Sequence, residues 1–309
     1  MESQENKSEL KNLMDFYKRF PDEKSCREYL FNERFANGNM PCSKCGKTNK
    51  IYAMKDGKRF KCGCCNHIFT LTVGTIFEGS HIPLQKWFLA MYIVSAHKKG
   101  ISSLQLHRDI SVTQKTAWFM LHRIREMLKA KEPFIKNGTV EIDETYIGGK
   151  EGFKHKDKRQ NIVGYVNKSM LFAELERGGD VWTKKVPQTN GKTLKPIIRK
   201  TIDTSSRIIT DGFGAYSGLN KEYKHDIVNH EQDEWVRGDA YTNTVEGFFS
   251  LLKRGIYGIY HSVSPKHLNR YSDEFSFRYN TRKMKDGERF KHTFSLVKAR
   301  LTYKELIAK

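Results

Sequence analysis

The sequence predicts a mixed α/β protein in which a sheet core is preceded by a small zinc-bound module and a short helical segment. Three observations predict it. Two Cys-x-x-Cys pairs, Cys42/Cys45 and Cys62/Cys65, are separated by 16 residues, the spacing of two knuckles facing each other across one zinc ion. From Pro83 to about Lys131 the apolar residues recur at helical period. Beyond Pro133, short runs rich in β-branched and aromatic residues are joined by Gly, Asn or Asp turns and then alternate with helical runs, the layer pattern of a sheet flanked by helices.

Composition bounds the class before any motif is read. The 309 residues are 38% apolar and 12% aromatic, which excludes disorder throughout and suits about two domains at roughly 150 residues each. Lys and Arg number 55 against 35 Asp and Glu, a formal net charge of +20. A polyanion is the expected partner, nucleic acid before membrane, because no basic amphipathic anchor helix stands out. No apolar run approaches the roughly 18 residues of a membrane span. The polar start MESQENKSEL has no apolar signal core, so a cytoplasmic location is expected and no membrane partner.

Residues 1–36 read as an N-terminal helical segment and 37–80 as the zinc ribbon. Within the ribbon, KIYAMKDGKRFKC forms a hairpin turning at Asp56-Gly57 and HIFTLTVGTIF supplies a further strand. Cys65 is preferred to Cys64 as the fourth ligand by the two-residue gap, His67 ranks below all four cysteines, and Cys26 reads as an ordinary buried thiol. Residues 81–132 form a helical segment. PLQKWFLAMYIVSAHKKG has Pro in its first turn and Gly at its end. SSLQLHRDI and TQKTAWFMLHRIREMLKA flank a joint at Ser111-Val112, with Ser102 and Thr113 as N-caps. Two short helices about a tight joint resemble a helix-turn-helix, and the segment holds nine Lys or Arg against three acids, with Lys115 and Arg123 as candidate DNA contacts. Trp87 and Trp118 sit among apolar neighbours and read as core.

Residues 133–285 carry the strand candidates TVEIDETYI, QNIVGYVN, MLFAELE and DVWTKKVP, a helix over LKPIIRKTI, then strands RIITD and HDIV. Helices over TNTVEGFFSLLKRGIYG and SPKHLNRYSDEFSFRYNTR follow, and 286–309 form a C-terminal helical tail. Three acids stand out by position. Asp143 lies in the first strand, Asp211 ends another, and Glu246 lies in the first turns of a helix after a Thr242 or Asn243 cap. Acids at strand ends and a helix start can meet at the carboxyl edge of a sheet. Hard cations such as Mg²⁺ or Mn²⁺ take oxygen ligands, and two of them about 4 Å apart can clamp a phosphodiester. Glu144, by strand alternation, faces away from Asp143. Asn243 reads either as a helix cap or as an aid to the metal site. Lys253 lies two turns along the helix from Glu246, with Arg254 beside it, both placed to meet a DNA backbone.

The strings VEIDETYIGGKE, TDGFGAYSGL and NTVEGFFSLLKRGIYGIYHSVSPKHLNRYSDEFSFRYNTR resemble the DDE transposases of bacterial insertion sequences, more narrowly the ISXO-like branch numbered fifteen-ninety-five, whose zinc ribbon and following GTIFEGSHIPLQKW also match. The resemblance covers roughly residues 20 to 285. It implies an RNase H-like catalytic core with Asp143, Asp211 and Glu246 as its triad, holding two Mg²⁺ or Mn²⁺, and Cys42, Cys45, Cys62 and Cys65 as ligands of one structural Zn²⁺. It implies double-stranded DNA as partner, both terminal inverted repeats and target, with cleavage and strand transfer on the nucleoid by a homo-oligomer. One departure is visible: Tyr241 stands before Thr242-Asn243 where many relatives carry His. The alternatives are a catalytically inactive DNA-binding regulator derived from such an enzyme, or a nuclease sharing the core.

Overall fold

The computed structural model describes residues 10–129, 136–149, 155–158 and 168–308. The QNIVGYVN strand candidate lies outside them. The chain divides into two compact units, one of Met1–Leu128 with Lys283–Lys309 and one of Lys129–Arg282.

The first unit opens with α1 (Leu13–Arg19), capped by Asn12, and α2 (Glu23–Arg34), whose N-terminus is closed by a reciprocal Asp22/Ser25 capping box. The ribbon follows as β1 (Ile51–Ala53), β2 (Arg59–Cys62) and β3 (Ile68–Thr70), an antiparallel sheet in that order. Its hairpin turns where the sequence expects: Gly57 adopts φ +62°, and the Asp56 carboxylate accepts the Lys58 and Arg59 amides at 2.9 and 3.0 Å. Helix α3 (Leu84–Ala96) is buried on all sides from Trp87 to Ser95. That run is apolar all round, as a helix must be to sit inside a core. The joint between α4 (Ser103–Ile110) and α5 (Gln114–Leu128) bends at Ser111, which is left-handed at φ 51°. Ser102 caps α4 through the Gln105 amide and Thr113 caps α5 through the Thr116 amide.

The second unit is built on a five-stranded mixed sheet. Strands β4 (Thr139–Ile147), β5 (Ser169–Glu176) and β6 (Val181–Val186) form an antiparallel meander. The chain then crosses through α6 (Gly191–Thr201) to β7 (Arg207–Asp211), parallel to β4, and on to β8 (Lys224–Val228), parallel to β7. The order is β6-β5-β4-β7-β8. Only the second strand runs against its neighbours, as in an RNase H-like core. Between β7 and β8 the connection is two 3-10 turns, Gly214–Tyr216 and Leu219–Lys221, with no full helix. One sheet face packs Val140, Ile142 and Ile208 on Leu194 and Ile198 of α6. The other packs Ile147, Leu171 and Ala173 on Val245, Phe248 and Leu252 of α7 (Asn243–Gly255) and Phe275 of α8 (Leu268–Asn280). The two helices approach closely at Gly255, where an added Cβ would lie 2.0 Å from the Phe275 ring.

The C-terminal residues return to the first unit. Helix α9 (Asp286–Ser295) inserts Phe290 and Phe294 among Phe16, Phe20, Tyr29, Phe88 and Tyr92, and Arg289 donates to the Ser95 carbonyl at 2.9 Å. A last short helix, α10 (Tyr303–Ile307), is capped by Thr302. The segment expected as a C-terminal tail thus supplies part of the core of the unit that begins the chain.

Candidate metal centres and active site

In the ribbon, the Cys42 and Cys65 sulfurs lie 3.6 Å apart and those of Cys45 and Cys62 3.7 Å apart. All four lie within 4.8 Å of one another. A tetrahedron with Zn–S bonds of about 2.3 Å has S···S edges of about 3.8 Å, so the four thiols are spaced as zinc would space them. The four thiols hold one another's protons. Burial pushes the Cys62 thiol up, but the backbone amides of Cys64 and Cys65 outweigh it and bring the group down to about 6. At Cys65 the His67 amide lowers the group, but burial and hydrogen bonds with the other three sulfurs outweigh it and push the thiol up to about 12. A bound cation would remove that division by favouring all four thiolates. Cys64 points out of the set toward Asn49, and the His67 ring contacts Ser43 at 3.1 Å. Cys26 is fully buried, and burial pushes its thiol to about 12.

Asp143 on β4, Asp211 at the end of β7 and Glu246 in the first turn of α7 lie toward one end of the second unit's sheet, near enough that the charges of Asp211 and Glu246 act on Asp143. The parallel pairing of β4 and β7 runs from Thr139↔Arg207 to Glu141↔Ile209; the same offset carried two residues on sets Asp143 level with Asp211. The β4–β7 pairing ends at Glu141↔Ile209, two residues before Asp143 and Asp211, at the carboxyl ends of the strands, where α/β sheets place their ligands. Glu246 enters from the first turn of α7, on the face that Asp143 shares with Ile147. Burial holds the Asp143 carboxyl well above the ordinary carboxylate range, helped by the charges of Glu144, Asp211 and Glu246 and opposed by a 2.7 Å hydrogen bond from the Glu144 amide. Asp211 accepts the Phe213 amide at 3.1 Å. Glu246 accepts the Thr242 hydroxyl at 2.8 Å and lies 3.4 Å from Nε2 of His230. Mutual repulsion that raises a carboxyl is relieved by a hard cation, and the oxygen donors of Asp143, Asp211 and Glu246 suit one. Among the described residues, however, only the four cysteines gather their ligand atoms within 4.8 Å.

Two further acids on β4 are diverted elsewhere. Glu144 points to the α6 side, as alternation requires, accepts the Tyr216 hydroxyl at 2.6 Å, and is raised by burial to about 7. Glu141 shares the Asp143 face and is fully buried. It accepts Arg177 at 2.7 Å together with the amides of Thr244 and Val245, and so does the capping that the sequence had assigned to Thr242 or Asn243. Asn243 is the exposed first residue of α7. Sequence reasoning missed Glu141, Arg177 and His230. The period-2 spacing of Glu141 and Asp143 was the available signal for the first; nothing local marked the other two.

The basic candidates part company. Lys115 and Arg254 are exposed and Lys253 is half-buried; the Lys115 ammonium lies 5.1 Å from the Tyr303 ring. Arg123 faces inward. It is 6% exposed, donates to the carbonyls of Leu301 and Ile76 at 2.9 and 2.8 Å, and lies over Phe119. Its guanidinium clasps chain segments and is not presented to a partner.

Residues 136–280 match the family described as the ISXO2-like transposase domain, and residues 21–68 match the transposase zinc-ribbon domain. The chain is 29% identical over 277 residues to an uncharacterized protein in the transposable element ISH50 of Halobacterium salinarum, covering 84% of this chain and 92% of that one. It is 29% identical over 106 residues to an uncharacterized transposase-like protein of Haemophilus influenzae, covering 34% and 85%. Comparison with the crystal structure of a pre-cleavage Mos1 transpososome covers 65% of this chain and 75% of that one at 11% identity, with a TM-score of only 0.21.

Proposed function

The chain belongs to the ISXO2-like transposases, with a transposase zinc ribbon toward its N-terminus, and on that premise we propose that it cleaves insertion-sequence ends and joins them to target DNA by divalent-metal phosphodiester chemistry. The observation that supports the proposal is that Asp143 on β4, raised chiefly by burial and then by the charge of Glu144, also feels the charges of Asp211 at the end of β7 and Glu246 in the first turn of α7. Asp143, Asp211 and Glu246 would hold the cations. When bound, such ions lower the pKa of water or a DNA 3′-hydroxyl and neutralise the departing oxygen.

The protein's own groups do the rest. Thr242 and His230, themselves 3.2 Å apart, both contact Oε1 of Glu246 and orient its carboxylate. The Phe213 amide holds Asp211. Arg177 neutralises Glu141 and Tyr216 occupies Glu144, so that these two acids are held away from the cations that Asp143, Asp211 and Glu246 would bind. Lys253 and Arg254, further along α7, would contact backbone phosphates without reading sequence. The α4–α5 pair and the ribbon, with Lys115 exposed on α5, would select the terminal repeats through groove contacts. The enzyme would act in the cytoplasm on nucleoid DNA, as a homo-oligomer because two ends must be held together. No helix among the described residues is long and apolar enough to cross a membrane.

The test is product analysis with labelled element ends in Mg²⁺ or Mn²⁺. Joined end–target strands are expected. Hydrolysis alone would make the protein a nuclease, and specific binding without any cutting would make it a DNA-binding regulator.

A further inference from the structure

The carboxylate of Glu141 is fully buried two residues before Asp143 and on the same face of β4. Both of its oxygens are used. Oε1 accepts Nε of Arg177 at 2.7 Å and the Thr244 hydroxyl at 2.8 Å; Oε2 accepts the amides of Thr244 and Val245 at 2.9 and 3.0 Å. The next residue is Glu246. Arg177, from the β5–β6 turn, donates its remaining nitrogens to the carbonyls of Asp239 and Tyr241 at 2.7 and 2.8 Å and lies 3.6 Å over the Tyr241 ring. Its own amide donates to Thr139 at the start of β4. Arg207 of β7 grips the Asp239 carboxylate with both terminal nitrogens. The segment leading into α7 is therefore fastened to the two strands that carry Asp143 and Asp211.

We propose that Glu141 and Arg177 are positioning residues that fix the Glu246 carboxylate relative to Asp143 and thereby set the divalent-cation affinity of the site. The inference rests on the reading of Asp143, Asp211 and Glu246 as metal ligands. A buried ion pair is poor value as a stabiliser, since apolar residues of the same shape hold a fold as well; what it gives is a fixed register. The division of labour at α7 points the same way. Thr242, the residue before the helix, spends its hydroxyl on Glu246 at 2.8 Å, and the amides it would otherwise cap are taken by Glu141. A group hydrogen-bonded directly to a ligand alters metal affinity about 10- to 100-fold; Glu141 acts one step further out, through the Thr244 and Val245 amides, so the lower end of that range applies.

The experiment is a Mn²⁺ titration of the full-length, zinc-loaded protein without DNA, read from the loss of the free-ion electron paramagnetic resonance signal. Glu246→Gln serves as the reference for a lost ligand. Glu141→Gln turns an acceptor into a donor facing two amides, and is expected to weaken Mn²⁺ binding about tenfold. Thr244→Val removes one of the four hydrogen bonds while leaving the backbone in place, and is expected to weaken it by roughly threefold while the zinc-loaded chain still melts cooperatively, at a modestly lower temperature, in Mn²⁺-free buffer. The second variant keeps the test decisive should the first fail to fold. Wild-type affinity in Glu141→Gln or Thr244→Val, alongside a clear loss in Glu246→Gln, overturns the proposal. Wild-type affinity in Glu246→Gln overturns the metal-site reading itself, and the positioning role with it.

Discussion

Removing zinc should unfold the ribbon and little else. The ribbon's three strands have only three or four residues each, far too short to stand alone. Its buried apolar side chains around the cysteines are Met40, Phe69 and Leu71; Ile76 and Phe77, further on, are also buried, and Phe77 packs on Trp87 and Phe88 of α3. Structural zinc in comparable small modules binds with apparent free energies of about 10–16 kcal/mol at neutral pH, as large as the roughly 5–15 kcal/mol that holds a whole domain together. The aromatic cluster of Phe16, Phe20, Phe88, Phe290 and Phe294 owes nothing to the metal. Stripping zinc should therefore expose the amides of residues 42 to 70 to hydrogen exchange while α3 and α5 keep their protection. The assay pairs exchange mass spectrometry with colorimetric zinc release. One zinc per chain is expected, lost in Cys62→Ser and Cys65→Ser and kept in Cys64→Ser. Protected ribbon amides after complete zinc removal, or a Cys64→Ser variant as zinc-poor as Cys65→Ser, would refute the reasoning.

Three further outcomes are expected. Arg123→Met should lower stability by about 3 kcal/mol, because two carbonyls lose a charged donor, without altering the salt dependence of DNA binding; a urea melt beside a binding titration checks both. Lys253→Ala should leave stability within ~0.5 kcal/mol and flatten the logarithmic salt slope by about one unit; an unchanged slope removes Lys253 from the phosphate contacts. Burial raises Glu174 to about 8, against the hydroxyl of Thr201 and the charge of Lys136. Its carboxyl binds a proton more tightly in the folded chain, so its contribution to stability is complete below about 4.5, the unfolded value, and is lost as pH rises to about 8. Glu174→Gln should gain on the wild type over that window, by a few kcal/mol at ~1.4 kcal/mol per unit, in melts recorded from pH 4.5 to 9.

What was legible in the sequence was whatever local chemistry fixes. Metal chemistry dictates the spacing of Cys42, Cys45, Cys62 and Cys65, and alternation placed Glu144 opposite Asp143 without any knowledge of Tyr216. The strand over TVEIDETYI and the joint at Ser111 follow from residue type alone. That Asp143 and Asp211 stand level depends on a pairing register between strands about 70 residues apart, which no local pattern encodes. Glu141 took over the capping of α7 for the same reason: its partner amides lie about 100 residues away. Arg123 was misleading as a bare cation. It sits at helical spacing from Met120 and Met127, on the buried side of α5, and its acceptors come from Ile76 and Leu301. The return of Phe290 and Phe294 to the N-terminal unit was equally invisible, because aromatic residues in a terminal helix do not announce which core they enter.

The most direct measurement is strand cleavage and joining by Asp143→Asn, Asp211→Asn and Glu246→Gln on labelled element ends in saturating Mg²⁺ or Mn²⁺, each beside its affinity for the same ends. All three should lose cleavage and joining while binding the ends within a fewfold of the wild type. Wild-type cleavage and joining by any one of them would contradict the assignment of these acids as the reactive centre.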